Sequence, residues 1–176
     1  FDIPAEDYGK HIWLQFDGIF RDSQVWVNGF YLGHEVSGYA TQTYDISEYL
    51  NYGGKNLVCV RADATLEEGW FYEGAGIYRH VWLNKASKVH VAPFGTFVHS
   101  RFILNYDDCG GCAACVGKPQ LDMAYLHIET TVQNMGVKPE DYSLKHTLTD
   151  ASGKKVAEAE VSGRQILAKD SNHTEA

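Results

Sequence analysis

Apolar and polar residues alternate with a period of two along most of the chain, and no useful stretch shows the spacing of an amphipathic helix. In residues 11–17, Ile12, Leu14 and Phe16 alternate with His11, Gln15 and Asp17, and Trp13 interrupts the polar face. Residues 24–28 and 30–33 are two further strand patterns joined at Asn28-Gly29. Both turn residues tolerate positive φ, so a tight hairpin is predicted. Residues 44–47 read as a short strand, and Ser47 is placed to cap a single helical turn ending at Leu50. Residues 51–55 form a turn. The strand at 57–61 puts Val58 and Val60 on one face, and Cys59 within it reads as a small buried hydrophobe. A loop rich in Asp, Glu and Gly covers residues 62–76. A strand at 78–83 then sets Val81 and Leu83 opposite Tyr78, His80 and Trp82.

The polar stretch 84–88 reads as a boundary. Beyond it, strands are predicted at 89–92, 96–101, 126–133, 142–148 and 156–161, with turn-forming clusters at 134–136 and 149–153. Only residues 165–168 remain as strand material after that, followed by a polar tail. Short strands separated by turns predict an all-β chain of sandwiches, not βαβ units. Two domains are expected, over residues 1–87 and 88–176. The second offers fewer strands than the roughly seven of an immunoglobulin-type sandwich, so it is expected to be incomplete or closed by strands outside the chain. Phe1-Asp2-Ile3-Pro4 reads as the end of a strand already under way, so the first strands of the first domain are expected to be missing as well.

Composition narrows the function classes. The chain has 176 residues, of which 44% are hydrophobic and 13% aromatic, far too apolar for disorder. Its eleven Tyr and four Trp suit pleated sheets and equally suit contact with sugars. The formal charge of −8 leaves no basic stripe for nucleic acid or an anionic membrane surface. No apolar run reaches the roughly 18 residues of a membrane span. The compartment is left open: periplasmic or secreted if a signal peptide precedes this segment, cytoplasmic otherwise.

Two groups of motifs carry a family resemblance. The first is Val25-Trp26-Val27-Asn28-Gly29-Phe30-Tyr31-Leu32-Gly33, followed by Tyr44-Asp45-Ile46-Ser47-Glu48-Tyr49-Leu50 and Gly53-Gly54-Lys55-Asn56-Leu57. The second is Gly74-Ala75-Gly76-Ile77-Tyr78-Arg79-His80-Val81-Trp82-Leu83. In this order they resemble the sugar-binding jelly-roll (galactose-binding-like) domain of family 2 glycoside hydrolases, the β-galactosidase and β-glucuronidase group. Glu129-Thr130-Thr131-Val132-Gln133-Asn134 resembles a strand of the immunoglobulin-like sandwich that follows in that family. The resemblance implies a jelly roll, then an immunoglobulin-like β-sandwich, and catalysis on a third domain, a (β/α)₈ barrel, that this chain does not contain. It implies a β-galactoside or related glycoside as partner in the full enzyme, and the absent barrel as partner in cis. A stand-alone carbohydrate-binding module, with Trp26, Trp70, Phe71 or Tyr72 as platform, is the alternative. Open sheet edges would also permit self-association into a homo-oligomer.

No residue is assigned a catalytic role. Retaining glycosidases need two carboxyls about 5 Å apart, whereas the acidic residues here are scattered over turns, and the adjacent Glu67 and Glu68 would point apart on an extended backbone. The substrate-contact candidates are Trp70, Phe71 and Tyr72, on the loop that the resemblance directs toward the barrel's active-site mouth. Trp70 stands where the family commonly has a charged group; an indole there can stack on a sugar face. Arg79 is read as an architectural residue in a buried or half-buried ion pair. Cys109, Cys112 and Cys115 form a C-x-x-C-x-x-C run that lacks the fourth cysteine of a ferredoxin cluster. Zinc would need a fourth ligand such as His99 or His127. The run is read as an insertion loop, its redox state left open, and no metal or cofactor is assigned.

Overall fold

The computed structural model describes residues 1–65, 74–105 and 120–175, and the chain divides into two compact units, Phe1–Lys88 and Val89–Ala176. Both are all-β. The first contains β1 (Asp2–Ile3), β2 (His11–Phe16), β3 (Ile19–Phe20), β4 (Ser23–Val27), β5 (Phe30–Glu35), β6 (Gln42–Asp45), β7 (Gly54–Lys55), β8 (Val58–Ala62), β9 (Gly76–Ile77) and β10 (Val81–Ala86). Its main sheets run β10-β2-β6 and β5-β4-β8, entirely antiparallel. Alternation along each strand turns one set of side chains inward. Ile12, Leu14 and Phe16 of β2 meet Val25 and Val27 of β4, and Ile3, Ile19 and Ile46 complete the buried cluster. The sandwich is tight enough that a Cβ on Gly33 of β5 would lie 2.8 Å from the Tyr44 ring on β6.

Turn chemistry closes the hairpins. Asn28 and Gly29 take φ of 50° and 87° between β4 and β5. The Asn28 side chain also ties three segments together: its amide donates to Tyr49 O and Asn56 Oδ1, and its carbonyl accepts from Leu57 N. The helical turn at Ser47–Tyr49 is a 3₁₀ turn that Ser47 opens but does not cap. Asp45 Oδ1 accepts from the Ser47 N–H instead, while Ser47 Oγ reaches across to Ile12 of β2. Cys59 corrects the sequence reading. It is exposed, because Val58 and Val60 take the inner face and the odd positions turn out.

The second unit contains β11 (Val89–Asn105), β12 (Gln120–Asn134), β13 (Glu140–Thr149), β14 (Lys155–Ile166) and β15 (Asp170–Glu175), in sheets β11-β12-β15 and β13-β14. Among described residues its buried apolar side chains are Val132 and Ile166, joined by Thr130, Asn134 and Thr174. Asn134 Nδ2 donates to Lys138 O and Ile166 O, and Tyr142 hydrogen-bonds Thr174. The supposed polar tail is strand β15, paired to β12 over residues 129–134. Among described residues no helix is long and apolar enough to cross a membrane.

Asp7 fastens the short 3₁₀ turn before β2. Its carboxylate is buried and accepts from Lys10 and from Lys85 on β10. Those two hydrogen bonds, Lys10 first and Lys85 second, hold it below its ordinary value of 3.8. The unfolded chain therefore binds this proton more readily, and the contribution fades as pH falls below that value. Asp7→Asn is expected to lower the urea midpoint near pH 7, with the difference from native narrowing near pH 3. An equal difference at both pH values would contradict this. Phe16→Ala empties the centre of the buried cluster and should cost about 3–5 kcal/mol in equilibrium unfolding.

Candidate functional site

Register fixes which loops can meet. Phe16 pairs with both Gln42 and Val81, and Ser23 pairs with both Glu35 and Ala62. Strands β2, β5 and β8 therefore finish, and β4, β6 and β10 begin, at one end of the first sandwich. The connections 17–22, 36–41 and 63–80 all leave from that end. Backbone hydrogen bonds lace them: β3 pairs with β9 at Ile19–Ile77 and Phe20–Gly76. Tyr78 N donates to Gly18 O (3.3 Å), Asp17 N to His80 O (3.0 Å), Asp22 N to Val36 O (3.3 Å) and Asp63 N to Arg21 O (2.9 Å).

Two glycines let aromatic rings pack directly on backbone. A Cβ on Gly18 would lie 2.7 Å from the Tyr78 ring, and one on Gly38 would lie 2.3 Å from Phe20 Cδ2. The Tyr78 hydroxyl donates to Gly38 O at 2.9 Å, locking the second loop to the third. Tyr39 meets Phe20 edge-on, with centroids 5.8 Å apart. Phe20, Tyr39 and residues 74–78 line a cleft of about 370 Å³. Its wall is mainly aromatic and aliphatic, with phenol groups at hand, a chemistry suited to the C–H faces and hydroxyls of a sugar.

Asp17 lies beside this cleft in the chain but is not a free acid. Gln15 Nε2 donates to its Oδ1 and Trp82 Nε1 to its Oδ2, both at 2.8 Å. These bonds, Gln15 foremost, together with the charges of Arg79 and His80, hold its pKa below the usual carboxylate value. The group is an anion at neutral pH, suited to accept hydrogen bonds and unsuited to donate a proton.

Trp70, Phe71 and Tyr72 lie outside the described residues, as do Glu67, Glu68, Cys109, Cys112 and Cys115. The flanking residues Thr65 and Gly74 belong to the connection that leaves this end of the sandwich. Arg79 is corrected: it is exposed, in the bend between β9 and β10, and acts on Asp17 through charge. Asn28 lies in the turn just past β4, at the opposite end. His99 and His127 stack face to face across β11 and β12, with centroids 5.0 Å apart. Among described residues no three His, Cys, Asp or Glu side chains gather in a metal-holding arrangement. Sequence reading missed Phe20 and Tyr39. Their signal was a glycine beside or near an aromatic in each connection, which acquires meaning only once the register is known.

Gly38→Ala should push Phe20 off its seat and destabilise the first unit by about 1–3 kcal/mol. A denaturation midpoint equal to native would show that Phe20 does not depend on the bare Gly38 backbone.

Comparison with known proteins agrees with this geometry. Residues 1–87 match the family model for the glycosyl hydrolases family 2 sugar-binding domain. The chain is 33% identical over 171 residues to the β-galactosidase BoGH2A of Bacteroides ovatus, covering 97% of the chain and 18% of that protein. It is 37% identical over 104 residues to a putative β-glucuronidase of Formosa agariphila, covering 58% of the chain and 10% of the relative. Among solved structures, a glycosyl hydrolase family 2 member from Bacteroides cellulosilyticus superposes over the whole chain and 20% of its own, with TM-score 0.81 and 26% identity. A family 2 β-glucuronidase shares the fold at TM-score 0.85 and 20% identity. The chain thus spans about a fifth or less of the length of these relatives. Residues 1–87 are a family 2 sugar-binding domain, and the chain as a whole belongs with the N-terminal portions of the family 2 glycoside hydrolases.

Proposed function

We propose that this chain is the non-catalytic N-terminal part of a β-glycoside hydrolase, most like a β-galactosidase, and that its cleft forms one wall of the substrate pocket. In this reading residues 1–87 are the jelly-roll domain that shapes the pocket. Residues 88–176 are an immunoglobulin-like sandwich that links it to a (β/α)₈ barrel in the same polypeptide. The barrel carries the acid/base and nucleophile glutamates. The observation that carries the proposal is the aromatic cleft of Phe20, Tyr39 and residues 74–78 at one end of a family 2 sugar-binding domain. Trp70, Phe71 and Tyr72 belong to the connection that leaves the same end, so they are proposed as further contacts to the glycoside. Asp17, ionised and held by Gln15 and Trp82, supports a recognition role over a catalytic one.

Substrate-positioning groups act through geometry, and loosening them lowers the rate without touching the reacting atoms. The chain alone is expected to leave 4-nitrophenyl β-D-galactopyranoside intact. In a full-length protein that carries this segment, Tyr39→Ala should lower kcat/KM by about tenfold or more at unchanged stability. Hydrolysis by the isolated chain would overturn the non-catalytic assignment. An unchanged kcat/KM would remove the cleft from the pocket.

A further inference from the structure

The outer face of the β10-β2-β6 sheet carries a second arrangement of groups, outside the cleft. Leu14 and Phe16 are buried in the core, so Gln15 and its cross-strand partner Trp82 must face away from it. Trp82 is 48% exposed, and it sits on β10, an edge strand. An exposed indole usually samples several rotamers, but this one is fixed. Its N–H donates to Asp17 Oδ2 at 2.8 Å, and Gln15 Nε2 holds the other carboxylate oxygen at 2.8 Å. The His80 ring packs against it at 5.2 Å and 29°, with a side chain 78% exposed. The outcome is an ordered aromatic plate with the imidazole stacked against it and an ionised carboxylate, itself held by an amide, at its N–H edge.

We propose that Trp82 is the platform of a further carbohydrate-binding site that takes a neutral pyranose residue of a glycan. The indole face suits the apolar C–H face of the ring. A carboxylate offers about four lone-pair positions, of which Gln15 and Trp82 occupy two, leaving acceptors for sugar hydroxyls. Charge selects the class: the Asp17 anion beside the plate and the net charge of −8 disfavour uronates and phosphates and tolerate neutral polyols. Because the plate is already ordered, binding loses little side-chain freedom. The site differs from the proposed pocket, since Trp82 does not line the cleft.

The test follows the indole N–H resonance of Trp82 in the ¹⁵N-labelled chain during titration with methyl β-D-galactopyranoside and, separately, methyl β-D-glucuronide. The neutral glycoside is expected to shift that resonance saturably, and the uronide to bind more weakly. Followed through backbone amides around Gln15, Trp82→Ala should weaken binding by about tenfold or more. Trp82→Phe, which keeps a ring, should bind between the two, so a poorly folded alanine variant does not end the test. Tyr39→Ala, a change in the cleft, should leave the Trp82 shift intact; this separates failure of the pocket reading from failure of this one. A Trp82 resonance unmoved at about 100 mM glycoside overturns the proposal. So does equal affinity in Trp82→Ala, or tighter binding of the uronide. Self-association of the native chain that Trp82→Ala abolishes overturns it too, because the face would then belong to a second copy.

Discussion

The first unit depends on the register of β2. This strand is hydrogen-bonded on both sides, to β10 and to β6, and its inward residues Ile12, Leu14 and Phe16 are all buried. A slip of one residue would turn those three out and bring His11, Trp13 and Gln15 in, so the hydrophobic effect and the strand ladder specify one pairing. Phe16 then meets Tyr44 edge-on at 6.3 Å, and Val25 and Val27 arrive from the opposite sheet. Every later feature inherits its position from that choice.

The same register makes the two surfaces proposed to meet sugar. Phe16 is the last residue of β2 and its last inward side chain. Asp17 follows on the outward side, and Gly18 then turns the chain beneath Tyr78. One step along the backbone therefore separates the core from a carboxylate held by Gln15 and Trp82, and three further residues reach Phe20 in the cleft. Backbone ladders between residues 18–20 and 76–78 set both at once. A ring resting on bare glycine backbone cannot move without opening a void, so the aromatic wall takes its rigidity from the strands beneath it.

Much of this was legible from the chain. Ile12, Leu14 and Phe16 announced an inward face, Asn28-Gly29 announced a hairpin, and the motif from Gly74 to Leu83 announced the family. What escaped did so for physical reasons. Residues 57–60 are all apolar, so alternation could not say which pair turns inward; pairing with β4 places Cys59 and Leu57 outward. Residues 170–175 are wholly polar and read as a tail, yet their backbone completes the β12 edge, and ladder hydrogen bonds do not depend on apolar side chains. Arg79 looked buried because aromatics flank it, but β9 ends at Ile77 and β10 begins at Val81, leaving Arg79 in a bend where no strand face confines it. The contact of Asp17 with Trp82 spans 65 residues, beyond the reach of any local pattern.

The electrostatics of the described site separate recognition from chemistry. A general acid for glycoside cleavage needs a carboxyl that keeps its proton near neutrality, which burial away from donors provides. Asp17 has the opposite surroundings: two side-chain donors, Gln15 foremost, and the nearby Arg79 charge favour the anion. A carboxylate so placed can orient an indole and accept hydroxyls, but it cannot protonate a leaving group. The aromatic cleft has the same character, offering C–H contact and phenolic hydrogen bonds without a displaced proton. In the function proposed above, the acid and nucleophile come from elsewhere in the polypeptide, and this segment sets the shape that the sugar meets.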